Sequence, residues 1–542
     1  MFSVLLSLLF VITPTFSARI LGIVSTPSYS HQIVFRPLWK ELSLRGHQVT
    51  VLTTDPIKDA SLTNLTEIDL HFSYKTFQSR LSMNEMAKLN PLELIDGIVK
   101  LGYDLIEEQL QYSEVQKLLK SETERFDVIL VETFFAATVA FSHKFNCPLI
   151  QIFSLDASSP IYYSIGNPSH PILNPEFLSA YKEQPNFLER LMMVASHLFV
   201  NIGFAPRVFE AQQLLIKKYF GENYPRVEDI LRNTSLLFVN TDTIFHPLRP
   251  LLPNVIQIGG GTHLTPPKPL PKDLQKHLDG ATNGFIYFSL GNNVKSELLS
   301  ENTRKVLLET FAKLPCKVLW KFEQQDLAGK PDNVIISKWF PQQDIFKHVN
   351  IKLFITHGGQ QSTEEAIYHH VPMIGMPFIG DQKTNVQRIV DKGMGLSLDY
   401  NTLDKETFRK AILEVMNNPK YRTKVKELAE LAKDQPMSGL QRAIWWTEYV
   451  IRHKGARHLR SPALDLPLYQ YLLLDLAPNN QTPTDLGSLL NFTAMLQNAN
   501  NEVRRPGKCI QFKPRQQNMK SLTPWSAVEK KTRLRNTGSR AH

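Results

Sequence analysis

The sequence predicts an α/β protein made of two parallel-sheet units facing one another across a cleft. Three observations lead there. Apolar, strand-length runs alternate with amphipathic helical stretches through both halves of the 542-residue chain, as they do where each sheet is covered by helices on both faces. Between the halves, residues 262–271 hold four prolines in ten positions, an extended, semi-rigid linker. Finally, the turn Thr356-His357-Gly358-Gly359 follows an apolar run and precedes a helical one, and a parallel sheet binds anions at such a strand-to-helix turn.

In the first half, strands are expected at residues 20–25, 48–53, 127–132 and 148–153, with a helix over 33–45. In the second, strands are expected at 284–290, 317–322, 334–338, 352–356, 372–377 and 395–399. Residues 18–261 form the first unit and 272–440 the second, and 441–476 form a helical segment. Before them, residues 1–17 read as a secretory signal peptide, since the apolar stretch is too short to span a bilayer and small residues follow it. The run 188–204 (LERLMMVASHLFVNIGF) is apolar and Met-rich, and its plain reading is a buried helix. Residues 477–542 are polar, rich in Asn, Gln and Arg, without helical or strand period; they read as a disordered tail.

The hydrophobic share, 42%, is ordinary for a globular protein. A formal net charge of +10 invites a nucleic-acid or membrane partner. Its distribution answers that: residues 477–542 carry eleven Lys or Arg against three acids, so +8 belongs to the tail and the body is near neutral. No nucleic-acid-binding enzyme is indicated. Three cysteines, Cys147, Cys316 and Cys509, exclude a disulfide scaffold. His369-His370 and His453 with His458 are the nearest approach to metal spacing, so neither a metal nor a cofactor is expected. Sequons at Asn64 and Asn233, and in the tail at Asn480 and Asn491, agree with entry into the secretory pathway.

The densest chemistry lies in 44 residues, WFPQQDIFKHVNIKLFITHGGQQSTEEAIYHHVPMIGMPFIGDQ, from Trp339 to Gln382. Trp339 can stack on a uracil face and Gln342 can bond the base edge. His357, Gly358 and Gly359 open a helix whose free N–H groups and dipole favour a diphosphate. Glu365 can accept both hydroxyls of a ribose, and Asp381 and Gln382 can hold sugar hydroxyls at the next strand end. The order along the chain is base, phosphate, ribose, sugar. Taken singly, each has a plain alternative: a core indole for Trp339, a tight turn for the glycine pair, a capping box for Ser362-x-x-Glu365, an N-cap for Asp381. His31 alone would be a cap or surface residue, and Glu132 a strand end.

This run resembles the signature of the UDP-glycosyltransferases, the animal group of UDP-glucuronosyltransferases and insect UDP-glucosyltransferases. From about Arg19 to Asp475 further motifs of that family recur in order: SHQIVFRPLWKELSLRGHQVTVLTTDP, FDVILVETFF, IYFSLGNNVKS and QRAIWWTEYVIRHKGARHL. The resemblance implies the twin-Rossmann fold called GT-B, with the segment after residue 441 crossing back onto the first unit. It implies transfer of a hexose from a UDP-sugar co-substrate, with inversion, to hydroxyls of small lipophilic acceptors. The insect-like wording favours UDP-glucose over UDP-glucuronate, and detoxification in the endoplasmic reticulum lumen is the expected setting. His31 is implied as the general base and Glu132 as the carboxylate that orients it. The donor set carried over is Ser289, Gly291, Asn292, Trp339, Gln342, His357, Gly358, Gly359, Gln361, Ser362, Glu365, Asp381 and Gln382. For 188–204 the resemblance implies help in forming an acceptor pocket or peripheral membrane contact, beside the plain reading of a buried helix, and self-association is left open.

The chain departs from the family at several positions. Glu132 stands where many relatives carry Asp. Ser289-Leu-Gly-Asn292 replaces the usual SLGS or SFGS, and Gln361 replaces an amide one methylene shorter. After YQYLLLD, where anchored relatives continue into an apolar span, polar sequence follows, and no eighteen-residue apolar run is apparent. Two rivals were weighed. A catalytically impaired lumenal nucleotide-sugar-binding protein is disfavoured by the presence of both His31 and Glu132. An NAD-dependent oxidoreductase would need GxGxxG after the first strand, and Leu21-Gly22-Ile23 lacks it, as Gly259-Gly-Gly-Thr-His-Leu264 lacks the last glycine.

Overall fold

Among the described residues, thirteen strands make up two wholly parallel sheets. The first holds β1 (Arg19–Val24), β2 (Gln48–Thr53), β3 (Leu65–Asp69), β4 (Val128–Glu132), β5 (Leu149–Phe153), β6 (Leu236–Val239) and β7 (Val255–Gln257), in the order β3-β2-β1-β4-β5-β6-β7. The second holds β8 (Phe285–Ser289), β9 (Lys317–Lys321), β10 (Val334–Ser337), β11 (Ile351–Thr356), β12 (Met373–Gly375) and β13 (Gly395–Ser397), in the order β10-β9-β8-β11-β12-β13. In this computed structural model residues 17–80, 91–176, 184–471 and 473 are described. The expected signal peptide and the 477–542 tail, with Asn480 and Asn491, lie outside the described residues. By its contacts the chain divides into Met1–Pro467, which contains both sheets, and Leu468–His542, whose described part is the short helix Leu468–Tyr471 and Leu473.

The central strands are uninterrupted apolar runs because both faces are covered. In β4, for example, Val128, Ile129, Leu130 and Val131 are all buried. One face of the first sheet packs on the Tyr29–Leu44 helix through Phe35, Leu38 and Trp39, and on the Gly439–Arg452 helix through Ile444 and Val450. That last helix starts at a capping box, Ser438 with Gln441. The second sheet buries Phe288, Trp320 and Ile355 on one side and Tyr287, Leu319 and Phe354 on the other.

Each sheet has a point where chain order reverses, between β1 and β4 in one and between β8 and β11 in the other. There the loops at the carboxyl ends part, leaving a crevice for a ligand. His31 follows β1 and Glu132 ends β4, while Gly291 follows β8 and His357 follows β11.

Three expectations need correction. The first helix begins at Tyr29, not residue 33, so His31 sits in a helical first turn and not in a loop. Strands β3, β6 and β7 were not anticipated. The run 188–204 is not a buried helix: Phe187–Leu198 continues through a π-helical turn, Phe199–Phe204, into Ala205–Phe220. The fused Phe187–Phe220 stretch is long and apolar enough, by length and composition, to cross a membrane. It nevertheless exposes most of its apolar window, which is 22% buried.

Candidate active site

On the β1–β4 side, Ser28 is the N-cap of the Tyr29–Leu44 helix, with extended φ and ψ of −148° and 120°. One turn in, the His31 ring meets the Glu132 carboxylate, with Nδ1 2.7 Å from Oε1. Glu132 is 1% exposed and its second oxygen, Oε2, is buried without a partner. Ser154, just past β5, donates from Oγ to the same Glu132 Oε1 at 3.0 Å and lies 2.9 Å from His31 Nδ1. Two donors thus converge on one carboxylate oxygen. Since a carboxylate only accepts, Nδ1 carries the proton and a neutral ring has its lone pair on Nε2. Burial opposes charging this ring, yet the charge and hydrogen bond of Glu132, joined by the charge of Asp381, raise its pKa above the ordinary value. Phe134 stands edge-on to the imidazole at 5.8 Å and is 41% exposed, an apolar wall beside the ring.

On the β8–β11 side, Gly291 has φ of 77°, and a Cβ there would lie 2.6 Å from the His357 ring; one on Gly359 would lie 2.7 Å from it. The imidazole is therefore held between two backbone strands that only glycine allows so close. Burial first, and the nearby Lys321 charge second, push His357 down to about 4, so it is neutral at ordinary pH. Its Nδ1 is buried without a partner. Lys321, at the end of β9, donates from Nζ to the Gly291 carbonyl at 2.6 Å. Ser289 Oγ accepts from the Gly291 N–H at 3.3 Å, and Asn292 is exposed. Gly359 is the N-cap of the Gln360–Tyr368 helix. Ser362 is thus inside the helix, which removes the capping-box alternative for Ser362 and Glu365.

Further along, the Glu365 carboxylate accepts from Gln342 Nε2 at 2.5 Å on Oε2 and from Gln343 Nε2 at 3.0 Å on Oε1. Gln342 Nε2 also reaches Ser362 Oγ at 3.0 Å, so its amide oxygen is the group left for a base. Trp339 is 65% exposed, which removes the core alternative. Asp381 occupies the N-cap position of the Gln382–Asp391 helix but makes no side-chain cap bond; its Oδ2 accepts from Asn385 Nδ2 at 2.7 Å. Burial raises its pKa, against the pull of Asn385 and of the His31 charge. Gln382 turns its amide oxygen to the Phe378 and Ile379 N–H groups at 2.8 and 3.0 Å, leaving Nε2 as a donor.

Hydrogen bonds among the described residues join the two sides. Asn293 Nδ2 donates to Ser28 Oγ at 3.2 Å, Gln361 Nε2 to the Ser154 carbonyl at 2.9 Å, and Gln360 Nε2 to the Asn240 carbonyl. Sequence reasoning missed Ser154, Lys321, Gln343, Asn293 and His263. Position past or at a strand's carboxyl end was the available signal for Ser154 and Lys321. Among the described residues no group of three or more His, Cys, Asp or Glu is arranged to hold a metal ion.

Residues 20–479 match the family described as UDP-glucoronosyl and UDP-glucosyl transferase. Similar proteins include UDP-glycosyltransferase UGT5 of Dactylopius coccus, 35% identical over 86% of this chain and 89% of its own length, and UDP-glucosyltransferase 2 of the same insect, 37% identical over 84% and 88%. The 2-hydroxyacylsphingosine 1-beta-galactosyltransferase of Rattus norvegicus is 32% identical over 85% of each chain. Among solved structures, the glycosyltransferase VinC in complex with DTDP has a TM-score of 0.54 at 15% identity, covering 80% of this chain and all of its own, and the glycotransferase of kitacinnamycin a TM-score of 0.55 at 19%, covering 80% and 99%. These structures share the fold. With a buried His–Glu pair at one switch point and the glycine-flanked His357 at the other, the chain is a GT-B glycosyltransferase belonging to the UDP-glucuronosyl and UDP-glucosyl transferase family.

Proposed function

We propose that the chain transfers glucose from UDP-glucose, with inversion, to hydroxyl groups of small lipophilic acceptors. The observation that carries this reading is the His31 tautomer: Nδ1 is committed to Glu132, so Nε2 can take the acceptor's proton. As that proton moves to Nε2, the acceptor oxygen forms a bond to the anomeric carbon and the bond from that carbon to the β-phosphate oxygen breaks, its electron pair leaving with UDP. Glu132 offsets the positive charge that develops on His31. The charge on UDP meets the N–H groups opening the Gln360–Tyr368 helix and the neutral His357 as donor. Trp339 and the Gln342 amide oxygen would take the uracil, Glu365 the ribose, and Asp381 with Gln382 the hexose.

A carboxylate at Asp381 favours hydroxyl donors and disfavours a second carboxylate, which supports glucose over glucuronate. Phe134 beside His31 supports a lipophilic acceptor. Conjugation of this kind serves detoxification, and a lumenal setting fits the sequon at Asn233, which is exposed, whereas the Asn64 amide is half-buried against Gln48. Phe187, Leu188, Leu191 and Met192, all exposed, support reversible contact with a lipid surface. The test is purified enzyme with a simple phenol and UDP-glucose, UDP-glucuronate and UDP-galactose in parallel. Product should form chiefly with UDP-glucose, and His31→Ala should lower kcat by roughly 10²-fold or more while UDP still binds. Comparable turnover by the variant would overturn the assignment of the base, and no product with any donor would favour a binding protein.

A further inference from the structure

The segment that joins the two sheets does more than connect them. His263 lies in it, is 0% exposed, and points between two acids on the Gln360–Tyr368 helix. Its Nε2 is 3.4 Å from Glu365 Oε1 and its Nδ1 is 3.6 Å from Glu364 Oε2. Neither ring nitrogen meets hydrogen-bond geometry with a partner, nor does Glu364 Oε2. Two residues on, Thr265 donates from N and Oγ1 to Gln343 Oε1 at 3.0 and 3.2 Å, and Gln343 Nε2 in turn holds Glu365 Oε1. The connecting segment therefore builds the rear wall of the Glu365 carboxylate.

Adjacent buried carboxylates repel one another, and burial itself pushes Glu364 up to about 7. Burial also resists charging His263, but Glu365 and Glu364 outweigh it and raise the ring's pKa. A ring lying between two buried carboxylates offsets their mutual repulsion.

We propose that His263 is a positioning residue for the nucleotide's ribose: wedged against Glu364 and Glu365, the ring orients the Glu365 carboxylate and holds it as an acceptor for the ribose diol. The proposal rests on the reading of Glu365 as the ribose acceptor. Its consequence is specific to ligand hydroxyls, because Glu365 reaches the nucleotide only through them. A ring that merely filled space or neutralised charge would affect every nucleotide equally.

The experiment is calorimetric titration of the full chain and of His263→Gln with UDP and with 2′-deoxy-UDP, each protein's thermal midpoint being measured alongside. The parent should prefer UDP by about tenfold or more, the scale of one lost charge-assisted hydrogen bond. In His263→Gln that preference should fall to about threefold or less, with the affinity for 2′-deoxy-UDP changed by less than about twofold. Glu364→Gln removes the competing acid and leaves the ring to Glu365, so the preference should be kept or increased. That second variant decides the matter if His263→Gln does not fold. A parent enzyme indifferent to the 2′-hydroxyl would overturn the ribose reading of Glu365. A parent that discriminates, with His263→Gln discriminating as well or Glu364→Gln losing the preference, would overturn the role of His263 alone.

Discussion

Glu132→Gln tests the charge of the catalytic pair while keeping its shape. With Nδ1 and Oε1 2.7 Å apart, the charge centres of imidazolium and carboxylate stand roughly 4 Å apart, an attraction of about 4 kcal/mol at an effective dielectric constant near 20. Gln keeps an oxygen for the Nδ1 proton and so retains about 1 kcal/mol of hydrogen bond. The ring that has just taken the acceptor's proton then loses about 3 kcal/mol, a fall in kcat of roughly 150-fold. The pH profile supplies a second readout. Only the neutral ring accepts a proton, and its pKa is raised in the parent, so activity is lost as pH falls through a value above that of ordinary histidine. Removing the Glu132 charge should move that acid limb to lower pH. Steady-state release of UDP, followed with UDP-glucose and an aliphatic alcohol from about pH 5 to 9, measures both. A nitrophenol acceptor, which parts with its proton more readily, should show a smaller loss. A variant keeping about a third or more of the parental kcat, with an unmoved acid limb, would refute the reasoning.

On the donor side, His357→Ala should weaken UDP itself by roughly tenfold, whereas Asp381→Asn should leave UDP binding within about twofold and weaken UDP-glucose, because only the intact donor reaches past β12. Calorimetry with both ligands separates the two, and equal losses from Asp381→Asn would dissolve the division between phosphate and sugar. Trp339→Ala should cost about 1–3 kcal/mol in UDP affinity through lost stacking. Being exposed, it should barely move the thermal midpoint, as a scanning melt would show. Replacing Leu191 and Met192 together by Asp should reduce sedimentation with lipid vesicles without changing turnover of a water-soluble acceptor; unchanged sedimentation would assign lipid contact elsewhere.

What could be read in the sequence was what repeats at short range. The runs of β1, β4 and β11 are buried on both faces, so their residues are apolar without interruption and their limits follow. The half-polar edge strand β3, LTEID, and the three-residue β7 carry no such pattern. The helix start at Tyr29 was missed because Tyr29-Ser-His-Gln32 is polar, although Ser28 stood in the cap position. His31 and Glu132 are 101 residues apart, and only their motifs linked them. Ser154 is 123 residues from His31 and is brought to it by the sheet order, which places β5 beside β4. His263 looked like linker because its meaning lies in two acids on a helix in the other half.

Gln361 shows how a departure from a family pattern acquires a physical reason. In sequence, Gln361 is only an amide one methylene longer than the family's. In the structure its Nε2 spans the cleft to the Ser154 carbonyl, and an amide shorter by one carbon–carbon bond, roughly 1.5 Å, would not complete a bond of that length from the same backbone. Ser154 is also the residue whose hydroxyl holds Glu132 Oε1. One side chain on the Gln360–Tyr368 helix is thus three hydrogen bonds removed from His31, through Ser154 and then Glu132. The carboxylate that raises the His31 pKa is therefore supported from the Gln360–Tyr368 helix of the other sheet, so the extra methylene ties the geometry of the proposed base to that of the proposed donor site.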